Sequence, residues 1–282
     1  MENSDFFFLL LSALMHAGWN FYAKKSHANK VAILWMGWIC AGMIMLPISI
    51  MVTDFSQASW QWLALLCTTV SIHAVYLYGL GSCYNVGEMS IIYPISRGIA
   101  IFMTIAIMLI FSLEEISSRG VFGVISLIIG IAFITIKRFR DLERRAIMIN
   151  AARVGVFVSL YSIVDKFSLQ YIPTFFYISL MFTLTGLVLS PIMFLKLKNH
   201  TMVVLKKHKT YSALIGLVSF TTYYMVLLAM DSAPASYVVA LREISIVFGS
   251  LLGMWLLNEE RSKRKIIGIF IITASVYIIK TA

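Results

Sequence analysis

Two arginines lie where an apolar chain can least easily hold them. Arg97, in the stretch Tyr93-Pro94-Ile95-Ser96-Arg97-Gly98, falls about nine residues inside the apolar run 89–111, and Arg242, followed by Glu243, lies at a similar depth in the run 235–257. On a helix rising ~1.5 Å per residue, both depths are near the middle of a bilayer. A guanidinium there costs roughly 2.5–3.5 kcal/mol on insertion scales, so it needs a partner or a polar cavity. Its planar fork matches a carboxylate or phosphate, which makes Arg97 and Arg242 candidate contacts for an anionic group. The alternative is a structural ion pair, with Glu243 as one candidate partner of the arginines.

Other groups extend this set. His16, Asn20 and Lys24 follow an i, i+4, i+8 spacing and form one stripe on a helix, with Lys24 expected to snorkel to the surface. His73 and Tyr76 lie three apart in a later run, and Tyr93 and Ser96 flank Arg97. Lys24 apart, these six side chains are expected to line the same space or to bond between helices. Asp165 and Glu243 are candidate coupling groups, because a carboxylate can hold or release a proton, and a histidine can do so near neutral pH. A helix-end ion pair between Asp165 and Lys166 is the competing reading. Glu114-Glu115 and Glu259-Glu260 fall in turns and read as solvated caps. The five histidines show no HxxxH or HExxH spacing, and Cys40, Cys67 and Cys83 show no CxxC, so no metal or cofactor is expected. No P-loop or GxSxG is present, which points away from ATP-driven transport on this chain and from an enzyme.

The elements that hold these groups follow from composition. Of 282 residues, 60% are hydrophobic and 13% charged, with a mean hydropathy of +0.87. This balance is that of an all-α membrane protein. The net charge of +10 sits in short segments between apolar runs, as topology determinants do, so nucleic acid is not the expected partner. Ten runs are long enough to be spanning helices: 6–22, 31–52, 60–84, 89–111 and 121–136, then 147–169, 175–195, 211–230, 235–257 and 266–279. They are continuously apolar, where barrel strands would alternate. The first run is acidic at its start and lacks a small-residue cleavage site, so it reads as a retained helix.

The chain also repeats itself. At a shift of 145, Arg97 falls on Arg242, Glu114-Glu115 on Glu259-Glu260, Gly123 on Gly268 and Tyr78 on Tyr223. At a slightly different shift, Trp19-Asn20-x-x-x-Lys24 matches Tyr161-Ser162-x-x-x-Lys166. The expected architecture is ten transmembrane helices as two inverted five-helix repeats, residues 1–140 and 147–282, in one compact bundle. An odd helix number inverts the second repeat, and such repeats hold a substrate site near the midplane in secondary transporters. Lys and Arg crowd the odd-numbered connections, which by the positive-inside rule places those in the cytoplasm and both termini outside.

The motifs His16-Ala17-Gly18-Trp19-Asn20-x-x-x-Lys24, Tyr93 to Gly98, and Arg242-Glu243-x-Ser245 before Asn258-Glu259 resemble the drug/metabolite transporter superfamily, in its EamA-type branch of ten-helix permeases. The resemblance covers nearly the whole chain. It implies a multi-pass protein of the bacterial inner (plasma) membrane that carries a small metabolite, and it implies cytoplasmic termini, opposite to the charge distribution. The expected function is therefore a secondary transporter for a small polar or anionic metabolite, working by alternating access and coupled to protons or to the substrate's own gradient. A non-transporting membrane scaffold and a membrane enzyme on a lipid-linked substrate are the alternatives.

Overall fold

The computed structural model describes residues 3–54, 61–87, 89–135, 142–256 and 262–282. Among them there are helices and no strand. In chain order the helices are α1 (Asn3–Lys25), α2 (Lys30–Val52), α3 (Gln61–Val86), α4 (Met89–Ile110), α5 (Ser118–Thr135) and α6 (Leu142–Ser168). They continue with α7 (Thr174–Leu195), α8 (Lys198–Lys207), α9 (Lys209–Ser232), α10 (Ala235–Leu241), α11 (Ile244–Leu256) and α12 (Lys263–Lys280). Among the described residues, eight spans are long and apolar enough to cross a bilayer, α10 and α11 together supplying one of them. α5 is a shorter apolar helix, and α12 opens on Lys263, Arg264 and Lys265, which keeps it out of that set.

Polarity is arranged for lipid. Phe7, Met43, Met51, Phe102, Phe122, Phe270 and Tyr277 are exposed on the outside, while Arg97, Arg242, Glu243, Asp165, His16 and His73 are buried. Helices satisfy their own backbone groups, so only the interior has to pair its polar side chains. The chain is a multi-pass membrane protein.

With no water between helices to drive association, close backbone approach supplies the packing. α2 runs against α3, α7 and α9. At the α2–α9 crossing the two backbones touch, since a Cβ added at Gly216 would collide with the carbonyl of Gly37. α5 and α12 pair along Gly123, Gly130 and Gly268, each set against an isoleucine of the other helix. On α4, Ser96 and Thr104 face α6, where a Cβ on Gly155 would meet the Ser96 carbonyl and Thr104 bonds Ser159 at 3.0 Å.

Two features depart from the sequence expectation. The connection after α7 folds into α8, a basic helix that buries Thr201 and Val204 against its neighbours. The run 235–257 is broken in its middle. The i→i−4 ladder gives way to i→i−3 bonds, Glu243 N–H to Ala240 at 3.1 Å, Ser245 to Arg242 at 3.0 Å and Ile246 to Glu243 at 2.9 Å. Arg242 and Glu243 therefore occupy the joint between two half-helices. Glu259-Glu260 lie outside the described residues.

Candidate functional site

Arg97 and Arg242 are each 3% exposed, and Glu243 is fully buried. Arg97 projects from α4, Arg242 and Glu243 from the α10–α11 joint. The joint resolves a problem of helical geometry: neighbours on a regular helix diverge by about 100°, yet here Glu243 reaches Arg97, with Oε1 at 3.6 Å from Nη1. That separation is an ion pair without a hydrogen bond. Arg97 Nη1 and both Glu243 oxygens have no hydrogen-bond partner. The other Arg97 nitrogen, Nη2, contacts His16 Nε2. A guanidinium can only donate, so His16 accepts at Nε2 and is neutral. The Arg97 guanidinium also lies over Tyr93, 5.5 Å from the ring centre, and Tyr93 donates to Ser245 Oγ on α11 at 2.6 Å.

Arg242 faces a different space. A cavity of about 20 Å³ lies among His16, Trp19, Trp38, His73, Tyr76, Tyr161, Ser219, Tyr223 and Arg242. It is large enough for about one water. Three of its lining groups carry buried N–H donors without an acceptor: Arg242 Nη1, Trp19 Nε1 and Trp38 Nε1. The Arg242 guanidinium rests over Tyr223 at 5.5 Å. Aromatic rings form the remaining wall, with Tyr76 and Tyr161 centroids 5.1 Å apart and Tyr161 stacked on His73 at 4.1 Å.

Beside the cavity lies a carboxylate network. Asp165 of α6 is fully buried and accepts hydrogen bonds from Thr69 Oγ1 and Tyr177 OH, both 2.5 Å from Oδ1, and from Tyr223 OH at Oδ2. Its donors come from α3, α7 and α9. His73 Nε2 stands 3.8 Å from Asp165 Oδ2, and His73 Nδ1 lies 3.0 Å from the Thr69 carbonyl.

Residues 146–281 match the EamA-like transporter family. Over that stretch, just under half of its length, the chain is similar to the EamA-like transporters. A crystal structure of a protein 12% identical to it aligns over 100% of this chain and 99% of that one, with a TM-score of 0.69, a likeness of fold alone. No curated protein matches.

The residues singled out by sequence divide into three groups. Arg242, His16, His73 and Tyr76 line the cavity. Arg97, Glu243 and Tyr93 are contiguous with it through His16, whose ring lies 5.8 Å from Tyr93. Asn20 and Ser96 are held elsewhere: Asn20 donates to the His16 carbonyl at 2.8 Å and accepts from Tyr84 OH at 2.7 Å, tying α1 to α3, and Ser96 donates to the Tyr93 carbonyl at 3.0 Å.

The charged residues near helix ends also find partners that sequence could not supply. Asp165 and Lys166 do not pair with each other. Lys166 Nζ bonds the carbonyls of Met230 and Ala233, closing the C-terminus of α9. Lys24, rather than snorkelling, reaches the carbonyls of Tyr84 and Gly87, both at 2.7 Å, and closes the C-terminus of α3. A cation at a helix C-terminus meets the last carbonyls and the negative end of the dipole. Glu114 does the converse, accepting the N–H groups of Ala235 at 2.6 Å and Ser236 at 3.0 Å at the start of α10. Trp19, Trp38, Tyr161, Ser219, Tyr223, Thr69 and Tyr177 are the site residues that the sequence reading did not select. Aromatic residues in an apolar run carry the same signal whether they pack or line a cavity. Only Trp19, Tyr161 and Tyr223 had a usable mark, their positions in the repeat.

Proposed function

We propose that this chain is a secondary transporter that moves a small anionic metabolite across the bacterial inner membrane by alternating access, with proton coupling. The observation that carries the reading is a set of three buried donors without acceptors among the residues that line the central cavity. Arg242 Nη1 and the indole N–H groups of Trp19 and Trp38 are buried without acceptors. Leaving such groups unpaired costs about 1–3 kcal/mol each, more for a charged one. A ligand that supplies oxygen acceptors removes that cost, and a carboxylate, sulfonate or phosphonate does so with the complementary charge.

Alternating access draws support from size and from the repeat. A cavity of about 20 Å³ is far below the ~300–1,000 Å³ of ordinary ligand sites, so the two halves must part to admit a metabolite. Residues 1–140 and 147–282 are the proposed inverted five-helix halves. In support, the repeat-matched lysines Lys24 and Lys166 perform the same task, each closing the C-terminus of the third long helix of its half. The break at Arg242-Glu243 is the kind of discontinuous helix that presents polar groups at a transporter's midplane. In this reading Arg242 contacts the anion with Trp19, Trp38, His16 and Tyr76 around it. Arg97, Glu243 and Tyr93 form the switchable support, and Asn20 and Ser96 hold α1 and α4 in shape.

Thermal unfolding of the purified protein with methanesulfonate, methylphosphonate, acetate and inorganic phosphate tests this, with tetramethylammonium and glycerol as controls. A ligand at a hundredfold its Kd stabilises the folded state by about 2.7 kcal/mol. At least one anion is expected to raise the midpoint while the controls do not. Stabilisation by the cation alone, or by none of the anions, would count against an anionic substrate.

A further inference from the structure

We propose that the space between His73 Nε2 and Asp165 Oδ2 is a proton-binding site, and that the anion crosses with one proton in electroneutral symport. The symport half rests on the anion reading of Arg242; the proton site itself does not.

The geometry leaves a place for one proton. His73 Nδ1 lies 3.0 Å from both the Thr69 carbonyl and the Thr69 hydroxyl, which gives its own hydrogen to Asp165, so both oxygens accept; in the neutral ring the hydrogen sits on Nδ1 and Nε2 carries a bare lone pair. That lone pair stands 3.8 Å from Asp165 Oδ2, another acceptor. Two acceptors face each other with no hydrogen between them. A proton taken from either side of the membrane fills the gap, giving an imidazolium–carboxylate pair, and it leaves by the reverse step. The Thr69, Tyr177 and Tyr223 hydroxyls hold the carboxylate in place meanwhile.

The titratable and charged groups facing this pair are Tyr76 from α3, Tyr161 from α6, Tyr177 from α7, Tyr223 from α9 and Arg242 from the α10–α11 joint. Lys166 is engaged with Met230 and Ala233 and does not face it. Around the cavity, among the described residues, Arg97 and Arg242 are then balanced by Glu243 and Asp165. The empty site is neutral with all four ionised, so a bound monoanion makes it negative and one proton on the His73–Asp165 pair restores neutrality. Tyr223 joins the two events physically. Its hydroxyl bonds Asp165 while its ring lies under the Arg242 guanidinium.

Infrared difference spectroscopy of the protein in liposomes, titrated between about pH 5 and pH 8 where a histidine-linked site should respond, tests the proton site without any anion. The expected result is one carboxylate–imidazole titration that disappears in Asp165→Asn and in His73→Gln and persists in Arg242→Gln. His73→Gln leaves Asp165 and its three hydroxyl donors in place and serves should Asp165→Asn not assemble. A spectrum unchanged by both substitutions overturns the site. Methanesulfonate, a permanent monoanion that brings no proton of its own, tests the symport. Binding in weakly buffered solution should take up one proton per anion, read by an indicator dye, and this uptake should be lost in His73→Gln. Binding without uptake overturns symport, whereas no methanesulfonate binding together with an intact infrared titration contradicts the anion reading and leaves the proton site standing.

Discussion

Replacing Arg242 with Gln is expected to leave a folded protein that no longer transports. The guanidinium rests over Tyr223, Arg242 lines the cavity, and one of its nitrogens, Nη1, has nothing accepting from it. Its removal therefore breaks no hydrogen bond made through that nitrogen. What is lost is the charge that an anion would meet in a dry, low-dielectric space, where truncating one partner of a buried charge pair costs about 2–5 kcal/mol. At 1.4 kcal/mol per decade this is a loss of affinity of roughly thirtyfold to several thousandfold. Uptake by proteoliposomes, beside thermal unfolding of the same preparation, reads both quantities. A variant that transports at near wild-type rate would remove Arg242 from the substrate site.

Arg97 should behave differently. Arg97→Gln leaves Glu243 fully buried with its ion-pair partner gone, and breaking such a pair on one side costs about 3–5 kcal/mol. Glu243→Gln has the reciprocal effect on Arg97, which retains only His16 and the face of Tyr93. Either single change is expected to lower the unfolding free energy by several kcal/mol. The double change Arg97→Gln/Glu243→Gln should recover much of that loss, because two uncharged amides need no mutual charge compensation. A double-mutant cycle on equilibrium unfolding measures the coupling. Additive losses would mean that the 3.6 Å pair contributes no mutual stabilisation. The contrast separates two arginines at matching sequence depth: Arg97 ties α4 to the α10–α11 joint through Glu243, whereas Arg242 Nη1 has no hydrogen-bond partner.

The spanning helices were legible because apolar runs of about twenty residues have few other uses. The break at Arg242-Glu243 was not. The stretch Val238 to Ile246 contains neither Gly nor Pro, so local propensity continues the helix and only the cost of placing two charges side by side at depth hints otherwise. α8 was hidden for the opposite reason. Its ten residues are too short and too basic for a hydropathy signal, and it forms because Thr201 and Val204 find a surface to pack on.

Charge depth selected Arg97, Arg242 and Glu243 from sequence, and the repeat selected Lys24 and Lys166. Depth and repeat gave position but not partner. Asp165, next to Lys166, looked like half of a local ion pair. Its actual neighbours are Thr69, Tyr177 and Tyr223, which arrive from three other helices and as far as 96 residues away in the chain. Lys24 illustrates the same limit, since an amphipathic stripe ending in lysine is equally compatible with snorkelling and with closing α3.

Everything turns on what fills the space in front of Arg242. A structure determined with an anion that stabilises the protein, methanesulfonate first among them, addresses this directly. The expected result is an oxyanion within hydrogen-bonding distance of Arg242 Nη1 and of the Trp19 or Trp38 indole nitrogen, in a cavity enlarged beyond its present 20 Å³ or so. An anion bound away from these donors, with Arg242 turned onto Glu243 and the cavity closed, would contradict the account.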